Sequence, residues 1–338
     1  MLGTEAERLS ILPEVLHPES IHIDAEKIYI VDGHRILIYS LEDLSLITKF
    51  GKIGEEPDAF RANPSGNVTL VIDVQSERIV VNSHEWISFF SKDGEFLSSA
   101  SPYPQVDFVI PMGENYIVSF FYVHVGTGKS AEHILIFDHK LEYVKKITEG
   151  FVGSGKAGGF GGPDRKLHID LIPDSYEFSV FEDKIYVGDS SRGFYFEVYD
   201  SEGEKLYDIH REFKQVKVTD SYTRERMTEI QKLHYYNRHK DVVAVDEREY
   251  FPAFRNFSVT DGKLFVYTYR EIDGQQEVHV LDIEGHLEAK VNVPKAKVSV
   301  IRDNSYYYLK KNENDEWELH RTRLDGALNG YGNEMENK

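Results

Sequence analysis

A pattern of strands and tight turns recurs six times along the 338 residues, and it constrains the fold more than any other feature. Each copy has two apolar strands, then a third strand that ends in Asp or Ser, a turn and a weaker fourth strand. The third strands begin near residues 36, 86, 133, 195, 277 and 317. The first strands align at 20–24, 68–73, 106–111, 176–181, 256–261 and 297–303. Self-similarity of this kind predicts one stacked array of equivalent sheets.

The turn after the third strand has the right chemistry for a hairpin in four of the six copies. Asp93-Gly94, Glu202-Gly203, Glu284-Gly285 and Asp325-Gly326 put Gly where a tight turn needs a positive φ. The first and third copies have Leu-Glu-Asp-Leu and Asp-His-Lys-Leu instead. Consecutive apolar residues such as those at 28–31 indicate sheets that are packed on both faces.

Six four-stranded sheets arranged radially form an all-β, six-bladed β-propeller. The sixth unit offers only three convincing strands, and the segment RLSIL at 8–12 can supply the fourth. We therefore predict that an N-terminal strand closes the last blade, which removes exposed sheet edges. The predicted propeller is a single domain over residues 1–328, followed by a polar tail at 329–338.

Residues 219–240, between blades 4 and 5, are predicted to form one inserted helix, with Asp220 or Ser221 as its cap. Met227, Ile230, Leu233 and Asn237 recur at helical spacing. Residues 211–240 contain eight basic and four acidic residues, a net charge of +4 in a chain of -19. One interpretation is a lid docked on its own acidic body. The other is a lid that recognises an anion or a partner.

Composition excludes several functional classes. A net charge of -19 argues against binding nucleic acid or anionic lipid, because both need a basic surface. The absence of Cys excludes disulfides, thiol nucleophiles and Cys-based metal sites. No apolar run approaches the ~18 residues of a membrane span. We expect a periplasmic or cell-surface location, with an export signal outside this sequence, or alternatively a cytoplasmic one.

The segment FGKIGEEPDAF at 50–60, with Gly51, Gly54 and Phe60, resembles the linker motif of NHL repeats. The whole chain resembles bacterial six-bladed propellers of the NHL/TolB-like group, which include binding scaffolds and a few enzymes. Six-bladed lactonase and strictosidine-synthase-like enzymes hold calcium or catalytic carboxylates at the channel mouth. The resemblance therefore implies a candidate Ca²⁺ site at the comparable first-strand starts, Glu19, Asn67, Asp107, Asp174 and Asn256.

The long connections are predicted to lie on one face. Loops after second strands and linkers between blades share a face, and the long segments 123–133, 148–175, 210–255 and 270–276 all belong to these classes. This asymmetry favours a functional face. Residue types suited to recognition are expected on it. These candidate ligand-binding residues are His34, Arg35, His84, Trp86, Tyr122, His124, Arg192, Tyr235, Tyr236, Arg238, Tyr269 and Arg270.

The sequence lacks a nucleophile elbow and a His-Glu-x-x-His motif, so it favours a non-catalytic propeller. Its expected ligand is a peptide, a glycan, a small molecule or a protein partner, bound on the face with the long linkers. The alternative function is a calcium-dependent hydrolase or lactonase-like enzyme. A third hypothesis is an assembly subunit, in which the basic insertion of one copy pairs with the acidic body of another.

Overall fold

The computed structural model describes residues 6–63, 66–84, 86–101, 108–124, 129–151, 167–232, 234–241 and 243–324. The protein is an all-β, six-bladed propeller, as the repeats predict. Each of the six four-stranded sheets keeps its strands in chain order, except that the first strand of the chain joins the last sheet. A two-stranded sheet and two helices lie in the connections around the fourth sheet.

The strands and helices are numbered along the chain. Strand β1 (Glu7–Ile11) precedes the first three sheets, which contain β2 (Pro18–Ile23), β3 (Lys27–Asp32), β4 (Arg35–Ser40) and β5 (Leu46–Phe50); β6 (Leu70–Val74), β7 (Arg78–Ser83), β8 (Trp86–Ser91) and β9 (Phe96–Ala100); and β10 (Phe108–Met112), β11 (Asn115–His124), β12 (Lys129–Phe137) and β13 (Tyr143–Phe151). Strand β14 (Leu167–Asp170) precedes the fourth sheet of β15 (Tyr176–Phe181), β16 (Lys184–Asp189), β17 (Phe194–Asp200) and β18 (Lys205–Arg211).

The helices α1 (Asp220–Lys232) and α2 (His234–His239) and the strand β19 (Val243–Asp246) follow the fourth sheet. The fifth sheet contains β20 (Asn256–Thr260), β21 (Lys263–Ile272), β22 (Gln275–Asp282) and β23 (Leu287–Pro294). The sixth contains β24 (Ser299–Arg302), β25 (Ser305–Lys311) and β26 (Trp317–Arg323).

Strand β1 completes the sixth sheet, which has the order β1-β26-β25-β24. It pairs antiparallel with β26, with Arg8 opposite His320 and Ile11 opposite Glu318. The Arg8 guanidinium lies 3.2 Å from a carboxylate oxygen of Glu318. The predicted closure of the last blade by the N-terminal strand is confirmed.

The residue that ends the third strand organises the following turn. The Asp200 carboxylate accepts hydrogen bonds from the amides of Glu202 and Glu204, and Asp138, Asp282 and Ser91 bind the amides two and four residues on in the same way. Gly94, Gly203 and Gly285 adopt positive φ, as predicted. In the copies without Gly, Leu44 and Leu141 take φ values of 60° and 61°. The turn geometry therefore persists where the sequence does not favour it.

Contacts between Cα atoms divide the chain into two compact units. Unit 1 comprises Met1–Val118, Phe137–Tyr143 and Glu288–Lys338, and unit 2 comprises Ser119–Ile136 and Val144–Leu287. In unit 1, one core joins the first and sixth sheets and another joins the first and second. In unit 2, the main core packs the fourth sheet on the fifth, with Phe196 stacked on Phe254 at a centroid distance of 5.0 Å.

The linker Gly51–Phe60 folds as a compact turn in unit 1. The amide of Phe60 donates to the carbonyl of Lys52, and the ring is fully buried between the first and second sheets. Gly51 has a φ of 120°, and a Cβ there would lie 2.5 Å from the carbonyl oxygen of His34. The turn therefore needs Gly51 and uses Phe60 as a hydrophobic anchor.

The insertion differs from the single helix predicted over 219–240. It forms two helical segments, α1 and α2. The cap is Thr219 and not Asp220 or Ser221, since its hydroxyl accepts a hydrogen bond from the amide of Tyr222. Thr219 occupies the position before the first helical residue, where a side-chain oxygen reaches the free amides of the first turn.

The segment 270–276 is an extension of the β21–β22 hairpin and not a loop. The strands pair as far as Ile272 and Gln275, and Asp273 and Gly274 form a two-residue turn with φ values of 52° and 75°. Two successive positive φ values are what a tight turn in a right-twisted hairpin requires.

First strands of neighbouring sheets lie against one another, β2 with β24 and β6 with β10 in unit 1, and β15 with β20 in unit 2. Polar residues alternate with apolar ones along them. Burial lowers the pKa of His22 on β2 to about 4. Burial also raises the pKa of Asp73 on β6 to about 6, against the opposing charge of Arg78. Both shifts favour the neutral forms, as expected beside low-dielectric protein.

Asp73→Asn is expected to stabilise the protein above pH 6. The folded-state pKa of about 6 exceeds the unfolded value of 3.8. Ionisation of this carboxyl therefore lowers the stability of the folded protein as the pH rises from 4 to 7. The gain at pH 8 should be on the order of 1–3 kcal/mol and should vanish near pH 4. Thermal unfolding from pH 4 to pH 8 measures it.

Asp43→Asn is the matched control for this substitution. Hydrogen bonds from Ser45 lower the pKa of Asp43, so its removal should cost stability at neutral pH and nothing at low pH. Parallel pH profiles for the two variants would contradict the expectation for Asp73.

Candidate binding site

All four long segments predicted from the sequence fall within unit 2. The pairs Tyr176–Asp189 and Asn256–Tyr267 show that first strands begin where second strands end, so the loops after the second strands emerge at this end of each sheet. The linkers reach the sheets at the same end. The described parts of two of these connections, 167–175 and 212–255, therefore lead directly into the starts of β15 and β20.

The helical insertion packs against unit 2 through its apolar side. Ile230 of α1 is buried with Leu171, Ile172 and Phe251, and Met227 and Tyr236 lie at the border of this cluster. Strands β14 and β19 pair in parallel beneath it. The Phe251 ring stacks on Tyr269 at a centroid distance of 4.5 Å. The structure thus has the docked form of the insertion.

Arg248 ties the two connections of unit 2 together. Its guanidinium donates two hydrogen bonds to the carboxylate of Asp174, at 2.7 and 2.6 Å, and one to Asp170 at 3.2 Å. The Asp170 and Asp174 side chains are only 7% and 10% exposed. Burial raises the pKa of Asp170 although the Arg248 charge opposes the shift. Arg248 therefore compensates two nearly buried carboxylates.

Glu177, the second residue of β15, is exposed by surface area, yet its pKa is raised to about 7. Burial by surrounding protein is the largest cause, the Ser175 hydroxyl lowers the pKa, the Glu132 carboxylate raises it and the Arg255 charge lowers it. Glu177 is therefore accessible to water and at the same time partly desolvated by the protein around it.

Arg255 and Tyr269 stand at the same end of the sheets as Glu177. Arg255 precedes β20, its side chain is exposed, and its backbone amide donates to the carbonyl of Tyr267. Burial raises the pKa of Tyr269 to about 12, and the charges of Arg255, Asp174 and Arg248 also act on its hydroxyl. Together Asp174, Glu177, Arg248, Arg255 and Tyr269 form what we call the β15–β20 site.

The other predicted binding residues of unit 2 have separate surroundings. Arg192 lies 3.5 Å above the Tyr195 ring and donates to Glu197. Burial alone would raise the pKa of Glu197, but hydrogen bonds from Tyr199, Lys205 and Tyr195 lower it to about 2. Arg270 is exposed, 3.9 Å from Glu277, and Arg238 is exposed on α2.

The predicted residues of unit 1 form no common cluster among the described contacts. Arg35 pairs with the buried Asp32, and Arg61 lies 4.6 Å above the Trp86 ring. His34 and His84 are exposed, and His84 has a φ of 34°.

Three further predicted residues belong to unit 2. The Tyr122 and His124 backbones lie in β11 and that of Tyr235 in α2, whereas their side chains lie outside the described residues. All twelve stay predictions as ligand contacts.

The five residues predicted to bind calcium have different local environments. Both carboxylate oxygens of Asp174 bind Arg248, whereas Glu19, Asn67 and Asn256 are exposed and Asp107 lies outside the described residues. These five residues stay a prediction.

In the described part of the chain, one group of three potential metal-binding side chains has its ligand atoms within 4.8 Å of one another. It consists of Asp282, Glu284 and His286. It lies in the turn after β22. The Asp282 carboxylate already accepts hydrogen bonds from two turn amides there.

Sequence reasoning missed Glu177, Arg255 and Arg248. Glu177 had a readable signal, because an acidic residue between Tyr176 and Phe178 interrupts an apolar first strand, as Asp73 does in β6. Arg248 is the single basic residue in the run DERE. Nothing in the local sequence indicated that the charge of Arg255 acts on Glu177, since Arg255 precedes β20 and Glu177 lies in β15.

No helix in the described residues is both long and apolar enough to cross a membrane. Searches with protein-family models and among curated proteins found no match.

The similar solved structures include three that have low sequence identity to this chain. BamB from Moraxella catarrhalis has 9% identity and a TM-score of 0.33, covering 89% of this chain and 71% of that one. The Pan2 WD40 domain of Neurospora crassa has 9% identity and a TM-score of 0.43, covering 90% and 89%. Kluyveromyces lactis Hsv2 has 12% identity and a TM-score of 0.38, covering 91% and 99%.

Proposed function

We propose that this chain is a non-catalytic binding propeller that recognises a polar ligand, a small molecule, a glycan or a peptide, at the β15–β20 site. The observation that carries the proposal is Glu177, which is accessible to water and still surrounded by enough protein to raise its pKa to about 7. Concave recesses with a few convergent polar groups are the usual form of ligand sites.

The chemistry of the site suits a ligand with hydroxyl and carboxylate groups. A carboxyl with a pKa of about 7 can either donate or accept a hydrogen bond at neutral pH. The exposed Arg255 guanidinium can hold a carboxylate through two parallel hydrogen bonds. The Tyr269 ring, held by stacking on the buried Phe251, adds apolar surface within reach of the Arg255 charge.

Ligand binding can be tested by thermal shift with a panel of monosaccharides, uronic acids and dipeptides. We expect at least one compound to raise the melting temperature, because a ligand bound by the folded state alone stabilises it. Glu177→Gln and Arg255→Met should each abolish that shift.

The matched control is Glu202→Gln, an exposed carboxyl in the turn at the opposite end of the fourth sheet. It should keep the shift. A compound whose shift survives both site substitutions would place binding elsewhere and refute the site.

We also infer kinship with the NHL/TolB-like propellers. The support is the folded linker, in which Gly51 meets the carbonyl of His34 closely and Phe60 anchors two sheets. A structure-based alignment of this linker with those of NHL repeats tests the inference.

A further inference from the structure

Arg61 in unit 1 follows the linker Gly51–Phe60 and lies over an aromatic ring of the second sheet. Its guanidinium carbon is 4.6 Å from the centre of the Trp86 ring, at the start of β8. Its backbone amide donates to the hydroxyl of Ser83 at 3.2 Å, and Ser83 pairs with Trp86 across the β7–β8 hairpin. The Arg61 side chain is 17% exposed. The cation is therefore held against the indole by its own backbone as well as by the ring.

Two N–H groups of this pair have no acceptor among the described residues. They are the Arg61 Nε and the Trp86 indole nitrogen, and both atoms are shielded from solvent. The other Trp differs, because Trp317 donates its indole N–H to the carbonyl of Leu16 at 3.1 Å. Folded proteins rarely leave a shielded donor without an acceptor, because its desolvation is costly. Two such donors on neighbouring groups indicate a position for an acceptor that comes from outside the chain.

Glu55 occupies the other side of the guanidinium. Its carboxylate pairs with one terminal nitrogen of Arg61, and its backbone carbonyl accepts a hydrogen bond from the other at 2.7 Å. The Glu55 side chain is 92% exposed. An ion pair with so exposed a partner contributes little to stability. A carboxylate from solution can therefore replace that of Glu55 without opening the core.

We propose that Arg61 and Trp86 form a second binding site, which takes the carboxylate of a small organic acid or of a peptide C-terminus in place of Glu55. A carboxylate fits because the two groups that need partners are both donors and one of them is charged. The Arg61 Nε is bonded to the guanidinium carbon, and the indole nitrogen belongs to the ring 4.6 Å from that carbon. The two oxygens of one carboxylate can therefore span both donors. This site shares no residue with the β15–β20 site, so either can fail without the other.

The indole N–H signals in an NMR spectrum test the site at a named atom. The chain has two Trp residues, so two indole signals are expected, and Trp86→Phe assigns them. Titration with acetate or with glycylglycine should move the Trp86 signal until it saturates and leave the Trp317 signal in place. Glycylglycine amide, which lacks the carboxylate, and sodium chloride at the same ionic strength should move neither.

The two probes also separate the two sources of a carboxylate. Tighter binding of glycylglycine than of acetate would identify a peptide C-terminus, and the reverse order would identify a small organic acid. A Trp86 signal that stays in place at the highest concentration of both probes overturns the proposal. So does an equal movement of the Trp86 and Trp317 signals, because this would be a general effect of the added salt.

Three variants test the exchange of carboxylates at Arg61. Arg61→Met should abolish the movement of the Trp86 signal. Glu55→Gln should lower the Kd of acetate several-fold, because it removes the internal competitor and leaves a larger fraction of the sites free. Glu56→Gln is the matched control, an exposed carboxyl next to Glu55, and should leave the Kd unchanged. Equal Kd values for Glu55→Gln and Glu56→Gln would overturn the proposal, and so would a response that persists in Arg61→Met.

Discussion

Replacing Arg248 with Met is expected to destabilise the protein by about 3–5 kcal/mol, because it leaves two nearly buried carboxylates without their compensating charge. Asp170 and Asp174 are 7% and 10% exposed, and Arg248 is their bound cation. Denaturant unfolding gives the size of the loss. Limited proteolysis should show that cleavage begins within 167–175 or 212–255, the two connections that Arg248 holds together.

A second variant separates the charge effect from a packing effect. Changing Asp170 and Asp174 to Asn along with Arg248→Met removes the unpaired charges and should restore most of the stability. Arg226→Met is the matched control on the same insertion, where an exposed pair with Glu229 should cost less than about 1 kcal/mol. Equal losses for Arg226→Met and Arg248→Met would contradict the clamp.

Deleting residues 1–11 is expected to be the second severe change, with a loss of roughly 3–6 kcal/mol. The deletion removes the strand that pairs with β26 and exposes a new edge, and each lost backbone hydrogen bond contributes about 1 kcal/mol. The ion pairs Arg8–Glu318 and Arg321–Glu7 are lost with it. Thermal unfolding and dye binding to exposed apolar surface measure the effect.

A peptide of residues 6–11 added in trans should restore part of this stability, because it can pair with β26 as the deleted strand does. Arg8→Ala is the control, since its side chain is 62% exposed and its ion pair should contribute little. A deleted protein that melts like the full chain would show that the closing strand is dispensable.

The repeated units were predictable because they are local. Strand alternation and the Asp or Ser that caps the turn amides act within about ten residues, so six copies can be counted from the sequence. Leu44 and Leu141 mark the limit, because they take positive φ without a favourable residue type. The backbone amides of Leu44 and Leu141 donate to the carbonyls of Ser40 and Asp138, so the hydrogen bonds of each turn hold this conformation.

The insertion was predictable in kind and not in detail. Its apolar positions Met227 and Ile230 do face the body, yet the helix divides into α1 and α2 and begins after Thr219. The net charge of +4 counts residues 211–240 and omits the acidic residues that follow them. Asp241, Asp246, Glu247 and Glu249 follow directly, and Glu249 lies 3.8 Å from Lys217, so the insertion as a whole is close to neutral.

The sequence by itself determined the propeller, its number of blades and its closure by the N-terminal strand, because repeats, turns and alternation are written in neighbouring residues. Only the tertiary structure decided where polar groups converge. The charge of Arg255 acts on Glu177, and Arg248 binds Asp174, although each pair comes from separate segments, so both pairings depend on how these segments are arranged in unit 2. Burial then set the properties of the site, since surrounding protein, and not the residue type, raises the pKa of Glu177.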